Sequence, residues 1–283
     1  MPVKGEFSGT GGELFGKLIV GAILSMLTVG IYLPWYIVSL VQYVCSKTTL
    51  RGTTRGDLTL RFGGTGGALF VAGLVGFLLT SITFGIYAPW FVVNLQKYFV
   101  DNLTAQAADG TTYGGRFKGT GGEFLAPLII GALLTAITFG IYAPWFACKM
   151  TKMIHERTFV VSRDAEIGHF DFIGTGGAMG TMLLVGALLT AVTFGIYFPW
   201  FQVKQLKFVA GHTRLSVGGQ TYAGEFSGTG GEHFKIELVG ALLTSVTLGI
   251  YSFWFLANLL RFQINHVAFA PAAPGAPAAA AAT

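Results

Sequence analysis

Apolar and polar stretches alternate along the chain with a fixed period. Five windows contain no Asp, Glu, Lys or Arg: Leu18–Ser46, Phe62–Gln96, Phe124–Cys148, Phe172–Val203 and Leu238–Leu260. Between them lie shorter segments of strict alternation, such as Leu58-Thr-Leu-Arg-Phe62 and Thr213-Arg-Leu-Ser-Val217, bounded by glycines. That pattern predicts strands. Two landmarks recur with the windows. Phe-x-Gly-Thr-Gly-Gly begins at Phe7, Phe62, Phe117, Phe172 and Phe226, with spacings of 55, 55, 55 and 54. Gly-Ile-Tyr-x-x-Trp supplies Tyr32 and Trp35, Tyr87 and Trp90, Tyr142 and Trp145, Tyr197 and Trp200, and Tyr251 and Trp254. A tandem repeat of about 55 residues follows, with units at about 3–48, 49–103, 104–158, 159–212 and 213–267.

Each unit predicts a short strand or strand pair, a Gly-Thr-Gly-Gly turn, an apolar helix, a break and a second helix. The break carries a helix-stopping glycine (Gly30, Gly85, Gly140, Gly195, Gly249) and, in four units, a proline suited to the first turn of the next helix. Tyr and Trp beside the break favour a membrane–water interface. The break therefore favours a two-helix hairpin over one kinked span or a hairpin confined to one leaflet. From Gly122 to Glu156, however, each helix has only ~16 residues, or ~24 Å, against a ~30 Å hydrocarbon core. The expected fold is thus a mainly α, polytopic membrane protein: one domain over residues 1–267, ten spans, and short β-hairpins below. Five copies allow a ring or an open arc. Residues 268–283, rich in Pro and Ala, read as a disordered tail.

Composition agrees with a lipid environment. Of 283 residues 52% are hydrophobic and 11% charged, with mean hydropathy +0.62, whereas soluble domains carry about a quarter charged residues. The net charge of +5 is too scattered for a nucleic-acid partner, and Cys45 and Cys148 sit singly in apolar windows. No Lys or Arg lies in the tyrosine–tryptophan turns, so the positive-inside tendency places strands and both termini in the cytoplasm.

Two stripes are candidates for packing or chemistry. Gly21, Gly76, Gly131, Gly186 and Gly240 each precede Ser or Thr by four residues on the first helix, a spacing that lets helices approach closely. On the second helix a polar, net basic face carries Asn94, Lys97, Lys149, Lys152, Lys204, Lys207, Asn258 and Arg261 at offsets of 4 and 7 from Trp. Facing a cavity, it would line an anion conduit; near a membrane surface, its lysines would snorkel to the headgroups. The Gly-Thr-Gly-Gly turns lack the Gly-Lys-Ser/Thr ending of a phosphate loop, and Glu13, Glu123 and Glu232 suit a helix start instead. No nucleophile–base or metal-ligand spacing appears, so neither a cofactor, a metal nor an enzyme is expected.

The run His212-Thr-Arg-Leu, then Tyr222-Ala-Gly-Glu-Phe-Ser-Gly-Thr-Gly-Gly-Glu, then Thr247-Leu-Gly-Ile-Tyr-Ser-Phe-Trp resembles the bacterial YjgN-like family of inner-membrane proteins. The resemblance implies a multi-pass inner-membrane protein and supplies no catalytic residues. The regularity of the repeats favours a structural or scaffold role, with lipid and a second copy or another membrane protein as partners. The basic stripe makes a channel or transporter for a small anion the alternative.

Overall fold

Among the described residues, alternating sequence and flanking glycines produce ten short strands; apolar sequence between a threonine cap and a glycine stop produces the first helix of each unit, and a second helix begins just after the tyrosine of each break, ten helices in all. A computed structural model describes residues 2–53 and 55–272. Unit one is β1 (Val3–Phe7), α1 (Gly11–Leu27), α2 (Leu33–Ser46) and β2 (Thr48–Thr53). Unit two is β3 (Gly56–Phe62), α3 (Gly66–Ile82), α4 (Ala88–Asp101) and β4 (Leu103–Ala107). Unit three is β5 (Thr112–Phe117), α5 (Gly121–Ile137), α6 (Ala143–Glu156) and β6 (Thr158–Ser162). Unit four is β7 (Ala165–Phe172), α7 (Gly176–Val192), α8 (Phe198–His212) and β8 (Thr213–Val217). Unit five is β9 (Gln220–Phe226), α9 (Gly230–Val246), α10 (Ser252–Asn265) and β10 (Val267–Pro271).

The strands form one closed antiparallel barrel. Within each unit the two strands pair across the inserted helices, with Phe62 opposite Leu103 and Phe117 opposite Thr158. Tight hairpins join successive units, and β10 closes the ring on β1 through Val3↔Phe269 and Lys4↔Ala268. Because every helical hairpin leaves and re-enters at the same ends of its strands, all ten helices crown one rim; the tight β-turns occupy the other. Helix neighbours also close, α1 lying between α2 and α10.

One strand face is apolar, running through Leu58, Leu60 and Phe62 and their partners Ala105 and Ala107. It receives the last turn of the second helix of each unit. A Cβ on Gly115 would fall 2.5 Å from the Val100 carbonyl oxygen, and one on Gly224 2.4 Å from that of Ala210. The opposite face carries charge, with Arg51 paired to Glu6 and Lys118 to Glu166.

Helix starts are locally encoded. Thr10, Thr65, Thr120, Thr175 and Thr229 each accept the N3 amide, and Glu13, Glu123 and Glu232 complete capping boxes. The Tyr43 hydroxyl donates to Glu13 and accepts from the Thr10 amide, so burial and this carboxylate push its pKa up to about 12.

Three expectations are corrected. The protein is not a mainly α polytopic bundle with separate hairpins below, because the strands from all five units unite in one barrel. No described helix is long and apolar enough to cross a membrane. The first helices have 17 residues and the second 14 or 15, or ~25 and ~21 Å. Last, the proposed tail begins too early: residues 268–271 belong to β10, paired with β9 from Val267↔Phe226 to Pro271↔Tyr222. Residues 273–283 of that tail lie outside the described residues.

Candidate functional site: the apolar crown and its polar stripe

The tip of each helical hairpin is built by the residues around Gly-Ile-Tyr. In unit one the Gly30 amide donates to Ser25 O (2.7 Å) and the Val29 amide to Met26 O (3.2 Å), a Schellman ending. The left-handed position of this motif usually falls to glycine. Here it holds Val29, Phe84, Phe139, Phe194 and Leu248, with φ between 49° and 51°. The glycine assigned from sequence as the helix stop sits one residue later. These five side chains are 93–98% exposed. A bulky residue in this region costs about 1–2 kcal/mol, and the strain is repeated in every unit.

A threonine fastens each tip. Thr138 Oγ1 donates to Leu134 O (2.7 Å) and accepts the Tyr142 amide (3.0 Å), and Thr28, Thr83, Thr193 and Thr247 do the same. Past the tip, Tyr32 stacks on Trp35, and the other four pairs stack likewise with centroids 5.9–6.2 Å apart.

Gly76, Gly131, Gly186 and Gly240 face the aromatic residue after Trp on the second helix of their own hairpin. An added Cβ would lie 2.0–2.1 Å from Phe91, Phe146, Phe201 or Phe255; at Gly21 it would lie 2.9 Å from Tyr36. Sequence reasoning missed a second set of close approaches. Trp35, Trp90, Trp145, Trp200 and Trp254 cover the first residue of the next unit's helix, at Gly66, Gly121, Gly176, Gly230 and Gly11. The tip-proximal turn of one hairpin therefore lies beside the barrel-proximal start of its neighbour. The helix pairs lean over one another rather than standing upright.

The stripe residues lie on one face of the second helices. Asn94, Lys149, Lys204, Lys207 and Arg261 are exposed, and Lys97, Lys152 and Asn258 are half-buried. Lys152 approaches Glu156 (3.8 Å), Lys204 Nζ lies 5.4 Å from the Tyr197 ring centre, and Arg261 donates to Gly9 O (2.8 Å). Among the described residues no three His, Cys, Asp or Glu side chains converge as a metal ligand set.

One polar cluster breaks the symmetry. His233 of α9 is fully buried, with Nε2 3.0 Å from Gln202 Oε1 and 3.1 Å from Glu237 Oε1; Nδ1 has no partner among the described residues. The matching positions are Leu14, Ile37 and Leu18 in unit one. Periodicity did not mark it, because a lone histidine has no spacing signature. Burial pushes the imidazole pKa below its ordinary value, with Glu237 opposing. The folded state therefore refuses a proton that the unfolded chain accepts, so stability falls as pH drops below about 6.5 and levels off below the folded pKa. His233→Leu is expected to flatten that slope in a thermal-melt series. It also costs about 1–3 kcal/mol by taking the imidazole from Gln202 Oε1 and Glu237 Oε1, which keep only the bond that Gln202 Nε2 donates to Glu237 (3.1 Å). The triple change His233→Leu, Glu237→Leu, Gln202→Ile, which copies unit one, is expected to recover the loss. A melt series for His233→Leu as pH-dependent as wild type would refute this account.

Barrel, ring closure and crown together define a single-chain repeat ring: a ten-strand barrel carrying five apolar helical hairpins about a pseudo-five-fold axis. The chain belongs to the YjgN-like family of bacterial proteins of unknown function (DUF898), whose model matches residues 2–54, 57–109, 168–225 and 221–272. The helical hairpin of unit three falls outside those segments. The inner membrane protein YjgN of Salmonella typhimurium is 43% identical over 81 residues, covering 29% of this chain. The chain thus spans less than a fifth, 18%, of that relative. No solved structure matches.

Proposed function

We propose that the protein is a non-enzymatic component of the bacterial inner membrane with a structural or scaffold role, seated on lipid by its helical crown. The barrel and both termini lie on the cytoplasmic side. The observation that carries this reading is the set of five exposed apolar tips held in left-handed backbone. Strain of about 1–2 kcal/mol at each tip has no counterpart in folding, since the side chains touch almost nothing. Moving a Phe or Leu from water into an apolar phase returns about 1.5–3 kcal/mol, so lipid outweighs the strain. The inner-membrane name of the Salmonella relative supports the location. The near-identity of the tips around the ring supports a structural role, since a substrate site would single out one unit.

A second reading, a conduit for a small anion, is favoured by the exposed stripe on five helices arranged about one axis. Flux of chloride and phosphate into sealed proteoliposomes separates the two. The structural role predicts flux no greater than empty vesicles, together with membrane-bound assemblies on cross-linking. Flux that collapses when Lys149, Lys152, Lys204 and Lys207 are changed to Gln would establish the conduit instead.

A further inference from the structure

Along each hairpin the side chains change in an order that matches the depth profile of a bilayer surface. At the tip stand the exposed apolar residues, Phe139 in unit three, flanked by Ile137 and Ile141. One turn on come Tyr142 and Trp145, stacked on each other and of the type that prefers the interface. Lys149 and Lys152 follow. From Ala143 to Lys149 the rise is ~9 Å, and to Lys152 ~13 Å. On the partner helix the exposed apolar band from Ile129 to the tip covers a similar ~15 Å. In units one and five the exposed Lys17 and Lys235 bound that band on the barrel side. A hydrocarbon core is ~30 Å thick, so this reach equals one leaflet, and the lean of the helices shortens it further.

The charge is also sectored. Units three and four, adjacent in the ring, each place two lysines on the stripe, whereas unit one has Ser39 and Gln42 there. Among the described residues the only anion within ion-pair distance of these four lysines is Glu156, beside Lys152.

We propose that the hairpins enter only the near leaflet, and that Lys149, Lys152, Lys204 and Lys207 bind the phosphates of anionic phospholipids along one sector of the ring. This rests on the membrane seat argued above and adds its depth and its lipid class. The ligand is a lipid headgroup, not free phosphate: Lys149 and Lys204 lie one helical turn from the aromatic belt and Lys152 and Lys207 two, the depth at which headgroup phosphates meet an interfacial helix.

The test uses the full chain, added to the outside of preformed vesicles of phosphatidylcholine with or without phosphatidylglycerol. Wild type is expected to float with both and to prefer the anionic vesicles. With all four lysines changed to Gln, that preference falls by roughly several hundredfold, since each surface lysine contributes roughly a factor of five. Binding to neutral vesicles is retained. Changing Val29, Phe84, Phe139, Phe194 and Leu248 to Gly, which suits the left-handed backbone, is expected to preserve or raise the melting temperature while abolishing flotation. That split keeps a folding defect from mimicking the result. Depth is read from Phe139→Cys in a Cys45→Ser/Cys148→Ser background. Its thiol is expected to be protected from an impermeant maleimide both outside the vesicles and trapped in the lumen.

Labelling from the lumen would overturn the one-leaflet seat. Equal binding to neutral and anionic vesicles would overturn the lipid class while the membrane seat stands; no flotation at all would remove both. Displacement by inorganic phosphate beyond that by chloride at matched ionic strength would replace the headgroup with a free-anion site.

Discussion

A chain ending at His266 is expected to lose its closed ring and self-associate, whereas one ending at Ala272 stays monomeric in detergent. The difference is β10, which pairs with β9 along its whole length and with β1 at Val3↔Phe269 and Lys4↔Ala268. Removing it strips the hydrogen bonds of five residues, a loss on the order of 5 kcal/mol. It also leaves β9 and β1 as open edges, ready templates for pairing with another chain. Light scattering behind size-exclusion chromatography checks the mass, and a thermal melt checks the loss. Were the His266 chain monomeric with an unchanged melt, closure through β10 would contribute nothing.

The second large effect contrasts two glycines on α5. A Cβ on Gly131 would lie 2.1 Å from the Phe146 ring, so the helix pair must separate or the ring must turn. Gly131→Ala is expected to destabilise by about 1–3 kcal/mol, and Gly131→Leu by more. Gly122, two residues into the same helix, has nothing within 4 Å of such a Cβ. Gly122→Ala is expected to be neutral or to stabilise by up to about 1 kcal/mol, as alanine replaces glycine in an open helix. Melting temperatures of the two variants should therefore move in opposite directions or differ by several degrees. Pairing Gly131→Ala with Phe146→Leu should recover part of the loss, because the clash is with that ring. Equal destabilisation by Gly122→Ala and Gly131→Ala would mean that helix propensity, not packing, sets the cost.

These contrasts also mark how far local sequence reaches. The threonine caps and the Gly-Ile-Tyr breaks depend on residues within five positions of one another, and their signals are read directly from the chain. The strained position lies one residue before the glycine that marks the break, because Phe139 takes the left-handed site that normally falls to glycine and Gly140 follows it, also at positive φ. The contact of Trp90 with Gly121 joins two units, so only assembly brings it about. His233 gives no periodic signal; its meaning comes from Gln202 on α8, 31 residues earlier.

By itself the sequence determined the repeat, the order of elements within each unit, their caps and their apolar faces. All of these follow from local propensity and periodicity. The tertiary structure alone decided that ten separate strands close into one barrel, since Val3 and Phe269 lie at opposite ends of the chain and alternation does not name a strand's partner. It also decided how far the apolar surface of the crown reaches. Charge-free windows long enough to span a bilayer on paper become leaning helix pairs whose apolar reach, set by helical rise and by the Trp–Gly contacts between units, matches a single leaflet.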